Sequence, residues 1–231
     1  MPRKPRFYQA GIPAHVYQRG HNKSPVFFDV YDYLEFLRIL KKTADALSCA
    51  VHAYVLMTNH VHFLLTPSDD KGISLLFQSL GREYVRYINQ RYGRCGSLWQ
   101  GRHKGNVINS SEYFLLCMQY IEMNPVRANM VDHPAKYRWS SFAANALGES
   151  NNIIRCHDEY LGLGNNMTSR RKVYRQQFEI PIDKNETQLI QQSLHSGTPV
   201  GNEKFQRYIE RVTGNKVGTY KRGRPTVQAA T

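Results

Sequence analysis

The chain has 231 residues, 41% of them hydrophobic, which suffices for one fair-sized domain with a smaller appendage. Lysine and arginine number 31 against 18 aspartates and glutamates, so the net charge of +13 favours a polyanionic partner, nucleic acid before an anionic membrane surface. The sequence lacks the apolar run of about 20 residues that a membrane helix needs, and no signal region follows the basic N-terminus, so we expect a soluble, cytoplasmic protein without a membrane partner.

Hydrophobic periodicity predicts alternating strands and helices in the first part of the chain. Strand patterns are found at residues 14–19, 51–57 and 61–66, with a further strand-like segment within 97–108. Helical spacing is found at residues 31–47, 73–92 and 112–123. This order is typical of an α+β fold, a ferredoxin-like antiparallel sheet with packed helices and one extra helix.

Local residue types predict where some of these elements begin and end. Ser110 or Ser111 can cap the helix at residues 112–123, and Pro125 is expected to end it. The short connection of Thr58 and Asn59 predicts a hairpin or a bulge between two strands.

The composition changes after about residue 149. Residues 145–152 are polar, so we divide the chain into residues 1–149 and a helical C-terminal extension at 150–231. Short helices are predicted in the extension at residues 169–178, 185–195 and 202–212. The extension ends in a basic tail, and it is a candidate DNA-binding module.

Two histidines stand one residue apart where the strand at residues 61–66 begins. Side chains alternate between the faces of a strand, so His60 and His62 point the same way and can share one divalent metal ion. Two histidines with local hydrogen bonds would give the same pattern, and the pair alone favours that simpler explanation. The apolar segment 63–65 indicates a covered strand, however, in which unpartnered imidazoles would be costly.

A tyrosine and an asparagine stand four residues apart at the end of the third predicted helix. Tyr120 and Asn124 therefore share one helix face. A phenol can act as a nucleophile, and an amide oxygen is a competent hard ligand. From spacing alone, Tyr120 is not distinguished from Tyr84 or Tyr113.

Several sequence blocks together resemble the single-tyrosine HUH transposases, also called IS200-like transposases. His60-Val61-His62 is similar to the histidine-hydrophobic-histidine signature of that family. Three further blocks follow in the family's order, at residues 97–102, 120–128 and 139–141, and they are most similar to the family's REP-associated branch. Gln18-Arg19-Gly20, near the start of the chain, also matches. The resemblance covers about residues 7–142 and implies the HUH endonuclease fold, with residues 1–149 as the catalytic domain.

The resemblance also implies roles for individual residues. His60 and His62 match the metal-binding pair, Asn124 matches the third protein ligand, and Tyr120 matches the nucleophile. The expected cofactor is Mg²⁺ or Mn²⁺, and imidazole is not a favoured Mg²⁺ ligand. The implied function is a transposase and single-strand DNA endonuclease that cleaves and rejoins hairpin DNA, in this branch REP-like palindromic repeats. Cleavage would produce a 5′-phosphotyrosine and a free 3′-OH.

Basic and aromatic residues suggest contacts to single-stranded or hairpin DNA. A basic run extends from Arg82 to Lys104 with only Glu83 against it, interleaved with aromatic rings of the kind on which bases stack. The tail segment 221–225 resembles an AT-hook core. The predicted DNA-binding residues are Arg19, Trp99, Arg102, Lys104, Arg127, Arg222 and Arg224.

Two other functions remain as alternatives. The first is a domesticated transposase that binds repeat DNA and regulates or maintains it without cutting. The second is an HUH replication initiator or relaxase, which the block at residues 139–141 does not favour. Relatives of this kind act as monomers or as homodimers, and the sequence leaves both open.

Overall fold

A four-stranded antiparallel sheet forms the centre of the computed structural model, which describes residues 6–214 and residue 216. The spatial order is β2-β3-β1-β4, the ferredoxin-like order that was predicted. The strands are β1 (Ala14–Arg19), β2 (Ala50–Met57), β3 (His60–Thr66) and β4 (Lys104–Val107). The two-residue connection of Thr58 and Asn59 makes β2 and β3 a hairpin, as predicted.

Helices cover both faces of the sheet. Helices α1 (Val30–Ala46) and α2 (Gly72–Arg91) pack together on one face, and α3 (Ser110–Glu122) packs on β2 and β3 from the other. Alternation along β3 separates the two cores, since Phe63 belongs to the α1–α2 side and Leu64 to the α3 side. Two-residue periodicity therefore places His60 and His62 on the side of α3.

The start of α3 differs from the prediction. Helix α3 begins at Ser110, and its N-cap is Asn109, which makes no side-chain capping bond. The helix ends at Glu122 before Pro125, which lies in the first turn of a short helix α4 (Asn124–Arg127), where its missing N–H is not needed. Within residues 97–108, where part of the segment was predicted to be a strand, the strand is β4.

The C-terminal extension packs against the rest of the chain. It contains α5 (Asp158–Leu161), α6 (Met167–Gln177), α7 (Lys184–Ser196) and α8 (Glu203–Thr213). Isolated bridges pair Ile154 with Val51 and Val200 with Ile108. The division at residue 149 stays a prediction, and the predicted tail residues Arg222 and Arg224 lie outside the described residues.

A buried carboxylate joins α3 to the extension. Ser141 Oγ and Asn145 Nδ2 donate to Glu122 Oε1 at 2.5 and 2.8 Å, and Tyr174 of α6 donates to Oε2 at 2.8 Å. The Glu122 side chain thus points away from Tyr120, into this network. No helix within the described ranges has the length and apolarity that crossing a membrane would require.

Candidate active site

The two histidines of β3 face α3 side by side. The ring centroids of His60 and His62 lie 5.3 Å apart. His62 is buried and His60 is half-buried, and Arg19 lies opposite His60 in the register of β1 with β3. A rigid central strand therefore fixes both imidazoles at one end of the sheet.

One ring nitrogen of each histidine is already engaged. Asn59 Oδ1 lies 2.7 Å from His60 Nδ1, and because an amide oxygen can only accept, His60 Nδ1 carries the proton. His15 Nε2 of β1 lies 2.9 Å from His62 Nδ1. These bonds leave Nε2 of both histidines for another ligand, the usual arrangement when a second residue orients a metal-binding imidazole.

Burial keeps these imidazoles neutral. It lowers the pKa of His15 to about 3 and that of His60 to about 4. Burial also lowers the pKa of His62 well below its ordinary value, with further contributions from His15, His60, Arg127 and Arg19. Neutral imidazole is the form that binds a metal ion.

Tyr120 lies on α3 directly against the histidines. Its ring centroid is 6.1 Å from that of His62 and 5.6 Å from that of His15. The ring is buried, and burial raises the pKa of the Tyr120 phenol, while nearby Arg127 and a hydrogen bond from Gln191 of α7 oppose that shift. The phenol is therefore protonated at neutral pH.

Arg127 of α4 covers the tyrosine. The carbon of its guanidinium lies 3.8 Å from the Tyr120 ring centroid, and Nη1 donates to the Tyr120 carbonyl at 3.0 Å. A guanidinium over an aromatic face is attracted by the ring and would also stabilise a phenolate. The predicted DNA-binding residue Arg127 is therefore in direct contact with the predicted nucleophile.

Asn124 also points back towards the end of α3. Its Nδ2 donates to the carbonyls of Tyr120 and Ile121 at 3.0 and 3.1 Å. The amide nitrogen is occupied in this way, which leaves Oδ1 as the atom able to accept or to bind a cation.

The donor set suits a weakly held divalent metal ion. The described ranges contain no group of three or more His, Cys, Asp or Glu side chains placed to hold a metal. Two imidazole nitrogens and one amide oxygen, the predicted ligand atoms, would by their chemistry suit Mn²⁺ better than Mg²⁺.

The other predicted DNA-binding residues occupy different positions. Arg19 is half-buried, with its guanidinium carbon 5.3 Å from the Tyr17 ring centroid. Lys104 Nζ lies 3.3 Å from His195 Nδ1 of α7, and Arg102 is exposed. Trp99 is only 6% exposed and belongs to the core under α1 and α2, which leaves little of its ring for base stacking, and its part in DNA binding stays a prediction.

The sequence did not single out three residues that contact this site. His15 and Gln191 reach it through strand pairing and through the packing of α7, and neither spacing nor composition marks them. Asn59 directly precedes His60, so its side chain could have been proposed as the partner of that imidazole.

Comparisons with known proteins agree with the resemblance. The family described as "Transposase IS200 like" matches residues 9–124, half of the chain. A structure of a REP-associated tyrosine transposase bound to a REP hairpin aligns with a TM-score of 0.56 and 17% identity, over 68% of this chain and 93% of that one. No curated protein matches the chain.

Weaker likenesses extend to two further structures. A putative transposase from Deinococcus radiodurans R1 has 24% identity and a TM-score of 0.35, over 52% of this chain and 96% of that one. A bacterial tRNA(His) guanylyltransferase-like protein in complex with GTP has 14% identity and a TM-score of 0.37, over 55% and 71%. The family match spans all four strands and reaches Tyr120 and Asn124, and on that basis the chain belongs to the IS200-like transposases.

Proposed function

We propose that this transposase cleaves and rejoins single-stranded, hairpin-containing DNA through a covalent bond to Tyr120. The observation that best supports the proposal is the placement of the Tyr120 ring 6.1 Å from His62 and beneath the Arg127 guanidinium. The proposed nucleophile, the candidate metal pair and a cation thus lie together at one end of the sheet.

The cleavage step exchanges one phosphodiester for another. The Tyr120 oxygen forms a bond to phosphorus as the bond from phosphorus to the 3′ oxygen breaks. The phenol loses its proton to water, and the departing 3′ oxygen takes one up. The 5′-phosphotyrosine retains the bond energy, so the 3′-OH of another strand can reverse the step and be joined.

Arg127 assists the tyrosine in this proposal. Positive charge 3.8 Å from the ring centroid favours the phenolate and offsets the effect of burial on the phenol. The same side chain donates to the Tyr120 carbonyl, which fixes α4 to the end of α3. Charge placed in advance where negative charge develops is a general source of rate enhancement.

The residues proposed to hold the metal are His60 and His62 through Nε2 and Asn124 through Oδ1. When bound, a divalent ion would supply positive charge that neutralises the scissile phosphate. His15 and Asn59 hydrogen-bond to Nδ1 of His62 and His60, which leaves Nε2 of each imidazole available to a metal ion.

A REP-like palindromic hairpin is the proposed substrate. The solved REP-associated transposase with the same fold is bound to a REP hairpin, and the net charge of +13 suits a polyanion. Whether the protein acts as a monomer or a homodimer stays a prediction.

The test is covalent capture of an end-labelled hairpin oligonucleotide on a denaturing gel, with Mn²⁺ or Mg²⁺. Wild type and Tyr113→Phe, a matched change on the same helix, should form the adduct, whereas Tyr120→Phe should form none. Replacing both His60 and His62 with alanine should abolish cleavage and leave hairpin binding in place.

Two results would contradict the proposal. An adduct formed by Tyr120→Phe would exclude this residue as the nucleophile. If wild type binds the hairpin but does not cleave it with any of the divalent metals tested, the alternative of a DNA-binding protein that regulates repeats without cutting would be favoured instead.

A further inference from the structure

A second basic surface lies on the opposite side of the sheet from Tyr120. It is a groove of about 690 Å³ between α2, the end of β1 and the loop before β4. We name it the α2 groove after its main wall, and it is lined chiefly by Gln18, Gln78, Arg82, Arg86, Trp99 and Arg102. None of the residues lining it, within the part of the chain that the structure describes, is acidic.

The charged residues of α2 differ in whether they form ion pairs with neighbouring elements. Glu83 pairs with Arg38 and Lys42 of α1, and Arg91 pairs with Asp29. Among the described residues, no ion pair includes Arg82, Arg86 or Arg102. Three cations without a carboxylate partner in one groove are the arrangement expected for binding phosphate groups.

The groove also has polar groups able to contact bases. Side-chain amides stand among the arginines, at Gln18 and Gln78, and such amides can pair with base edges. Single strands expose base edges as well as phosphates, so this mixture fits single-stranded DNA better than phosphate alone.

The groove lies at the same end of the sheet as the candidate active site. Gln18 faces α2, while the next residue, Arg19, faces the other side and pairs in register with His60. The two surfaces are thus separated by the thickness of the sheet at its end. Because β1 lies between β3 and β4, a single strand leaving Tyr120 would reach the groove past the end of β1.

We infer that the α2 groove binds the single-stranded DNA that flanks the scissile phosphate. This inference rests on the proposed function, because it takes cleavage at Tyr120 as its starting point. The arginines hold the backbone of the flanking strand, and the amides contact its bases. One DNA strand therefore occupies both faces of the sheet.

Gly81 offers a way to block the groove without disturbing the core. It lies within α2 and lines the groove, and a Cβ added there would meet no atom within 4 Å. A side chain at this position extends into open space, and any residue other than proline improves the helix. Gly81→Glu places a negative charge among the arginines, and Gly81→Lys is a control of similar size and opposite charge.

The experiment measures binding of a fluorescent hairpin oligonucleotide with its single-stranded flanks. Gly81→Glu should weaken binding about 10-fold or more. Gly81→Lys and the remote Lys136→Gln should bind with an affinity close to that of wild type or higher. The double variant Arg82→Gln, Arg86→Gln should reduce the slope of log affinity against log salt by roughly 1.4, about 0.7 for each lost phosphate contact. A hairpin without flanks should bind wild type and Gly81→Glu equally.

Adduct formation at saturating DNA separates this inference from the proposed function. If Gly81→Glu and the double arginine variant bind flanked DNA with the affinity and salt slope of wild type, the groove assignment is overturned, even where the Tyr120 adduct forms. If they bind weakly while wild type forms no adduct, the groove assignment holds and the nucleophile proposal fails.

Discussion

At the residue scale, the candidate site depends on which nitrogen of each histidine is free. The partners of Nδ1 decide this, Asn59 for His60 and His15 for His62. His15 is fully buried, and its own Nδ1 has no hydrogen-bond partner in the described part of the chain. Within the residues that the structure describes, the one hydrogen bond of the His15 ring is therefore the one to His62, which suits a residue that orients the His62 imidazole.

His15→Phe should weaken Mn²⁺ binding by about 10- to 100-fold, the usual cost of losing a residue that orients a metal ligand. The reason is that His62 loses the partner that fixes its ring and tautomer. Titration of Mn²⁺ followed by electron paramagnetic resonance measures the affinity without DNA or turnover. His103→Phe, at another buried histidine, is the control, and an unchanged affinity in His15→Phe would exclude the orienting role.

Arg127→Gln should lower the cleavage rate at neutral pH by about 10-fold or more. Arg127 lowers the pKa of the Tyr120 phenol against the stronger effect of burial, so its loss moves the pKa further up. The rising limb of the pH–rate profile should shift to higher pH in this variant. Arg127→Lys, which keeps the charge, should restore part of the rate, and identical profiles for wild type and Arg127→Gln would contradict the role.

At the element scale, α3 has two functions on different faces. One face presents Tyr120 to the histidines, and Glu122 points into the network with Ser141, Asn145 and Tyr174. Burial raises the pKa of Glu122 to about 7, although the three hydrogen bonds lower it. This carboxyl links the helix that bears the proposed nucleophile to the extension.

The raised pKa of Glu122 makes stability depend on pH. The folded state holds the proton more tightly than the unfolded state, so the stabilisation present below pH 4.5 is lost as pH rises to about 7. The size of the loss is roughly 3 kcal/mol, from 1.36 kcal/mol per pKa unit. Thermal melts should show that Glu122→Gln is less sensitive than wild type between pH 5 and 8, and equal sensitivity would exclude Glu122 as the source.

At the scale of the whole molecule, the C-terminal extension completes the fold around the site. Tyr174 and Ile190 of the extension lie in the same core as Ala53 and Val55 of β2. Gln191 of α7 reaches the Tyr120 phenol. The extension therefore covers the α3 face of the sheet and contacts the proposed nucleophile.

A chain ending at residue 149 should lose stability because this core would be opened. We expect a lower melting temperature and increased binding of a hydrophobic dye relative to the full chain. A truncation after residue 216, which removes the basic tail and keeps α5 to α8, is the matched control. If residues 1–149 melt as the full chain does, they form an independent domain, as the composition predicted.

The sequence by itself determined the order of strands and helices, the pairing of His60 with His62 on one face, and the family. These properties are local, since periodicity and short motifs are written in neighbouring residues. The sequence did not determine that His15 holds His62, that Gln191 reaches Tyr120, or that Trp99 is buried. The first two contacts join residues 47 and 71 positions apart, and the burial of Trp99 depends on how its loop packs, so only the tertiary structure decided them.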